Sequence, residues 1–156
     1  MRVAAGELRA HGDAAAGLHI AGEIADLEAA RGPSLELANA LYEAERWDQA
    51  RIVFEQLGRS NTLVLGRLGV LAARRGDRAE AMRVSDTLAA LPNDRGSTSI
   101  WQARIAAQLG DAQAAVNLLR RAFAEGATYG IWLHTDPDFL RLHSHPSFRS
   151  MLRGAD

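Results

Sequence analysis

The chain has 156 residues, of which 47% are hydrophobic, 24% charged and 6% aromatic, with a net charge of -1 and no cysteine. Lacking cysteine, it has no means of building a disulfide framework, a thiolate metal site, a thiol nucleophile or a lipid-modified thiol, and near-neutral charge argues against a nucleic-acid or anionic-membrane footprint. No apolar run approaches the ~20 residues that span a bilayer, and Glu7 interrupts the start too early for a secretory leader, so a cytoplasmic location without membrane insertion is expected.

Alanine occupies 30 positions, proline only 4, and all 18 basic residues are arginine. Such an Ala-, Leu- and Arg-rich chain favours helix on intrinsic propensity, and the expected fold class is all-α. In chain order, helices are expected at about 2–11 and 13–30, flanking Gly12-Asp13. After the turn Arg31-Gly32-Pro33-Ser34 come helices 35–45 and 47–58, divided at Glu45-Arg46. The turn from Gly58 to Asn61 leads to helices 62–75 and 78–91, divided by Gly76-Asp77. A loop from Leu91 to Ser97 precedes helices 97–109 and 111–125, divided by Gly110-Asp111. Helical apolar stripes support each pair: Leu35, Ala38, Leu41 and Tyr42; Ala50, Val53, Phe54 and Leu57; Leu65, Leu68, Gly69 and Ala72; Met82, Leu88 and Leu91; Ile100, Ala103, Ala106 and Ala107; Ala115, Leu118, Leu119 and Ala122.

The four divisions recur at intervals of 33, 31 and 34 residues. Five residues after each stands a small side chain (Gly17, Ala50, Ala81, Ala115), and seven before each stands another (Ala5, Ala38, Gly69, Ala103). Small residues at fixed points let two antiparallel helices approach closely. Each Gly ends a helix in a positive-φ conformation, and the Asp after it caps the next helix by accepting from free amides.

On these small-position pairs, the Gly-Asp turns and Phe54 four residues after Ala50, residues 1–125 resemble a tetratricopeptide-repeat array. The segments 35–57 and 98–122 fit best. The resemblance implies antiparallel helix pairs stacked as a right-handed α-solenoid, with repeats at about 1–31, 32–61, 62–95 and 96–125. Departures are the missing turn Gly in the second repeat and the residues Ser85 and Leu119 where an aromatic is usual. The tail, Asp136-Pro-Asp-Phe139-Leu-Arg-Leu142 followed by Pro146-Ser-Phe148-Arg-Ser-Met-Leu152, is similar to the closing segment of repeat arrays in bacterial signalling proteins. Two short helices are expected there, each planting a Phe, so that residues 126–156 cap the exposed edge of the last pair. Phe139, Leu142, Phe148 and Leu152 are expected to pack around Leu118 and Leu119.

Catalytic chemistry finds little purchase. His134, Asp136, His143 and His145 crowd within twelve residues but match no metal-ligand spacing. The serines lie mainly in turns and none sits in a nucleophile elbow. Gly66-Arg-Leu-Gly69 lies inside a helical pattern with no preceding strand, which favours helix packing over phosphate binding. The doublets Arg74-Arg75 and Arg120-Arg121 raise RNA binding by a helical repeat as an alternative, but acids interleave with the arginines almost one for one. The expectation is a non-catalytic protein–protein interaction module, with no cofactor and no metal, binding a protein or peptide partner. A dimerising regulatory cap, forming a homodimer, is a further alternative. The resemblance places Leu35, Asn39, Tyr42, Val70, Arg74, Ile100, Arg104 and Gln108 on the concave face. There Asn and Arg would hold the backbone and carboxylates of an extended peptide, while Tyr42 and Ile100 give apolar contact. The resemblance also implies membership of a larger bacterial regulatory protein.

Overall fold

The structure, a computed structural model, describes residues 14–92 and 94–154. All regular elements among these residues are helical: α1 (Ala14–Ala29), α2 (Leu35–Glu43), α3 (Trp47–Leu57), α4 (Thr62–Arg74), α5 (Arg78–Ala90), α6 (Ser97–Gln108), α7 (Ala112–Ala124), α8 (Trp132–Thr135), a 3-10 turn (Leu140–Leu142) and α9 (Pro146–Leu152). Seven of the eight repeat helices expected from the sequence are thus present, each within about two residues of its expected ends. The expected helix 2–11 lies outside the described residues. Two compact units divide between Val64 and Leu65, within the first turn of α4.

In the first unit, α1 packs on α2 and α2 on α3. The periodicity of α2 puts Leu37, Ala38, Leu41 and Tyr42 on its buried face, where Tyr42 meets Trp47 edge-on at 5.0 Å. From α3, Ala50, Val53 and Phe54 are buried, and α1 contributes Ala21, Ile24 and Ala25. Apolar residues at three- and four-residue spacing give one inward stripe per helix.

In the second unit, α5 packs on α6, α6 on α7 and on the 3-10 turn, and α7 on α9. Glycine makes the approach of α4 possible. A Cβ on Gly69 would lie 2.6 Å from both Val84 Cγ1 of α5 and Ile105 Cδ1 of α6, and one on Gly66 would intrude on the Trp101 ring. Gly66 and Gly69 are therefore helix-packing residues. All seven small repeat positions that are described, Gly17, Ala38, Ala50, Gly69, Ala81, Ala103 and Ala115, are buried. One stripe is rotated from expectation. In α5 the buried residues are Ala81, Val84 and Leu88, while Met82 stands outside at 44% exposure, because spacing from Ala81 rather than Met82 follows the inward face.

The divisions between paired helices share one closure. At Gly76-Asp77 the two amides donate to Ala73 and Ala72 carbonyls at 3.0 Å each; at Gly110-Asp111 they donate to Ala107 at 3.2 Å and Ala106 at 2.9 Å. Such reversed bonds satisfy the last carbonyls of a helix and require a left-handed residue, which Gly76 (φ 80°) and Gly110 (φ 83°) supply. Asp77 then accepts from the Glu80 amide at 3.1 Å and Asp111 from the Ala114 amide at 3.0 Å. At the division lacking glycine, Glu45 takes the same conformation at φ 59°, and Glu45 and Arg46 donate to Tyr42 and Leu41. Arg46 gives α3 no side-chain cap. Its guanidinium instead donates to Asp26 of α1, and that hydrogen bond holds the Asp26 carboxyl below the ordinary carboxylate range. The pair stabilises the fold above that range and loses its effect as pH falls through the lowered value, modestly, since both side chains reach solvent.

Two outcomes follow from this geometry. A non-glycine left-handed residue costs about 1–2 kcal/mol, part of which glycine returns as unfolded-state entropy. Glu45→Gly is therefore expected to stabilise the protein by a net amount of up to about 1 kcal/mol, read as a rise in the urea midpoint. Gly66→Ala should act oppositely, costing roughly 1–3 kcal/mol of overpacking and shifting the fluorescence of the displaced Trp101. An unchanged spectrum and midpoint would contradict the close approach.

Candidate functional site

The arginines expected to receive a partner's acids are occupied by the chain's own tail. Arg67 and Arg74, seven residues apart on α4, lie on one helix face, and Arg104 comes from α6. Between α8 and the 3-10 turn runs Asp136-Pro137-Asp138, whose second carboxylate is fully buried. Arg74 Nη2 donates to Asp138 Oδ1 at 2.8 Å, while Arg67 Nη1 and Arg104 Nε each approach Oδ2 at 3.7 Å. Arg104 also grips Asp136 Oδ2 through Nη2 at 2.7 Å and Nε at 3.1 Å. Asp136 Oδ1 accepts from the Asp138 amide at 2.9 Å, and Gln108 Nε2 donates to the Asp138 carbonyl at 2.7 Å. The short acidic turn is thus held at its side chains, an amide and a carbonyl.

Trp101 supports the cations. The Arg104 guanidinium lies 4.4 Å from its ring centroid and that of Arg67 5.3 Å, a cation–π arrangement in a partly desolvated setting. Taking a carboxylate out of water costs several kcal/mol unless charge and hydrogen bonds replace the solvent, and here three guanidinium groups stand around Asp138. Arg104 and Arg74 side chains are only 17% exposed, so this cluster is much less screened by salt than a surface pair.

The flanks of the acidic turn are anchored by apolar burial. Leu133, Phe139, Leu142, Phe148 and Met151 pack with Ala115, Val116 and Leu119 of α7 and with Ala103 and Ala107 of α6, and Leu118 and Leu152 lie against the same cluster, partly buried. The Phe139 and Phe148 rings lie tilted at 39° with centroids 6.2 Å apart, and the His143 ring lies 5.6 Å from that of Phe148. The tail's local structure differs from two Pro-initiated helices. Pro146 opens α9, with His145 at its N-cap. Pro137 instead leads into a single 3-10 turn with Phe139 at its start, because Asp136 accepts from the Asp138 amide and fixes a tight local turn.

In the first unit, Asn39 and Tyr42 are buried and Leu35 is half-buried; in the second, Val70 is fully buried and Ile100 half-buried. Asn39 Oδ1 has no hydrogen-bond partner among the described residues. Ile100 lines a small cleft with Ser97, Trp101, Arg104 and Trp132. The structure therefore gathers Arg74, Arg104 and Gln108, and adds Arg67, Trp101, Asp136 and Asp138, which the sequence reading did not join to them. The available signal was the i, i+7 spacing of Arg67 and Arg74 opposite two tail acids; at separations of 32 and 64 residues in sequence, periodicity cannot pair them. No group of three His, Asp or Glu side chains suited to a metal occurs among the described residues, and no described helix is long and apolar enough to cross a membrane.

No family model, curated protein or solved structure matches the chain. Its own geometry is what supports a functional reading.

Removing one partner of a buried ion pair costs about 3–5 kcal/mol, so Asp138→Ala is expected to lower stability by that order, and Asp136→Asn by less. The reversal Arg74→Glu with Arg104→Glu should unfold the second unit by setting new carboxylates against Asp136 and Asp138, a result that thermal melts would display. Truncating a buried Phe costs about 3–5 kcal/mol against a typical domain stability of about 5–15. Phe139→Ala with Phe148→Ala should accordingly bring the protein to the edge of unfolding, and a midpoint within a degree or two of wild type would show that the tail is not part of the core.

Proposed function

We propose that the chain is a non-catalytic protein-interaction module of tetratricopeptide-like helix pairs, whose C-terminal segment closes the second unit. The observation that carries this reading is the register of small side chains. Ala38 and Ala50, Gly69 and Ala81, and Ala103 and Ala115 are each twelve residues apart and all buried, as a stack of closely approaching helix pairs requires. Repeats of this kind present side chains from successive helices on one extended surface, which suits a polypeptide ligand better than a small molecule. A right-handed solenoid, a cytoplasmic setting and a place in a larger regulatory protein belong to this proposal.

The self-occupied arginines alter where a partner would sit. Arg74, Arg104 and Gln108 act first as ligands of the Asp136–Asp138 turn, so a partner's acids would have to compete with a tail held by five buried apolar anchors. Ile100 remains partly exposed beside Trp101 and Trp132, and it is the expected partner residue in the second unit best placed to give apolar contact without disturbing the ion cluster.

Ile100→Asp is expected to leave the fold intact, with a cooperative thermal melt, while abolishing capture of a defined polypeptide by in-cell crosslinking. Undiminished capture would remove Ile100 from the binding face. A gel shift with random RNA, repeated across salt concentrations, separates the competing reading: counterion release gives a steep salt dependence to RNA binding, and such a slope would replace the protein-binding proposal.

A further inference from the structure

We draw no further inference here: the strongest candidate, the apolar cleft of the second unit lined by Arg120, Phe123, Tyr129, Met151 and Gly154, has nothing in the structure to show what covers it.

Discussion

Close helix approach at side chains of one carbon or none is the constraint on which the fold depends. Where Gly69 faces Val84 and Ile105, a single added methyl group would fall at 2.6 Å from both, well inside van der Waals contact. The buried alanines at positions 38, 50, 81, 103 and 115 fill the corresponding places in the other helices. Interiors pack at nearly crystalline density, so these positions tolerate neither growth nor rearrangement without moving a neighbouring helix. The same condition explains the economy of the turns. A helix pair that packs closely needs an abrupt reversal, and the paired amide-to-carbonyl closure at Gly76 and Gly110 provides it. Glu45 adopts that conformation without glycine, which shows that tertiary packing outweighs a local backbone cost of about 1–2 kcal/mol.

The second unit adds an electrostatic closure to this packing. Three arginines on two helices would repel one another across a dry surface, and a buried aspartate would be costly alone. Brought together, each removes the other's penalty, and the Trp101 ring beside the Arg67 and Arg104 guanidinium groups adds a cation–π attraction. Buried ion clusters of this kind contribute less to net stability than apolar burial, but they are intolerant of partial removal. Here the ion cluster and the apolar core are joined in the chain: Phe139 immediately follows Asp138, so the ring and the carboxylate are placed together.

This coupling decides what the arginines of the second unit bind. A groove rich in arginine has the chemistry for acidic segments, yet its own chain supplies the acids at 2.7–2.8 Å. Under the proposed interaction function, partly exposed residues beside the cluster such as Ile100, rather than the arginines themselves, would be the groups that a partner meets first.

Periodicity and composition were enough to define the all-α class, the positions of seven described helices and the burial of the small repeat residues, because each depends on neighbours within one or two helical turns. Pairing Gly76 with Asp77 and Gly110 with Asp111 was equally legible, since a left-handed stop followed by a carboxylate cap is local chemistry. Met82 shows where such reading slips: a stripe can be drawn through several phases, and only contact with α6 selected the one through Ala81, Val84 and Leu88. The identity of the site lay further out of reach. Arg74 and Arg104 were legible as cations, but their partners Asp138 and Asp136 lie 64 and 32 residues away. Tertiary structure alone decided that these charges meet, because burial of Phe139 and Phe148 carries the acidic turn to the arginines, and no short-range pattern in a sequence encodes that distance.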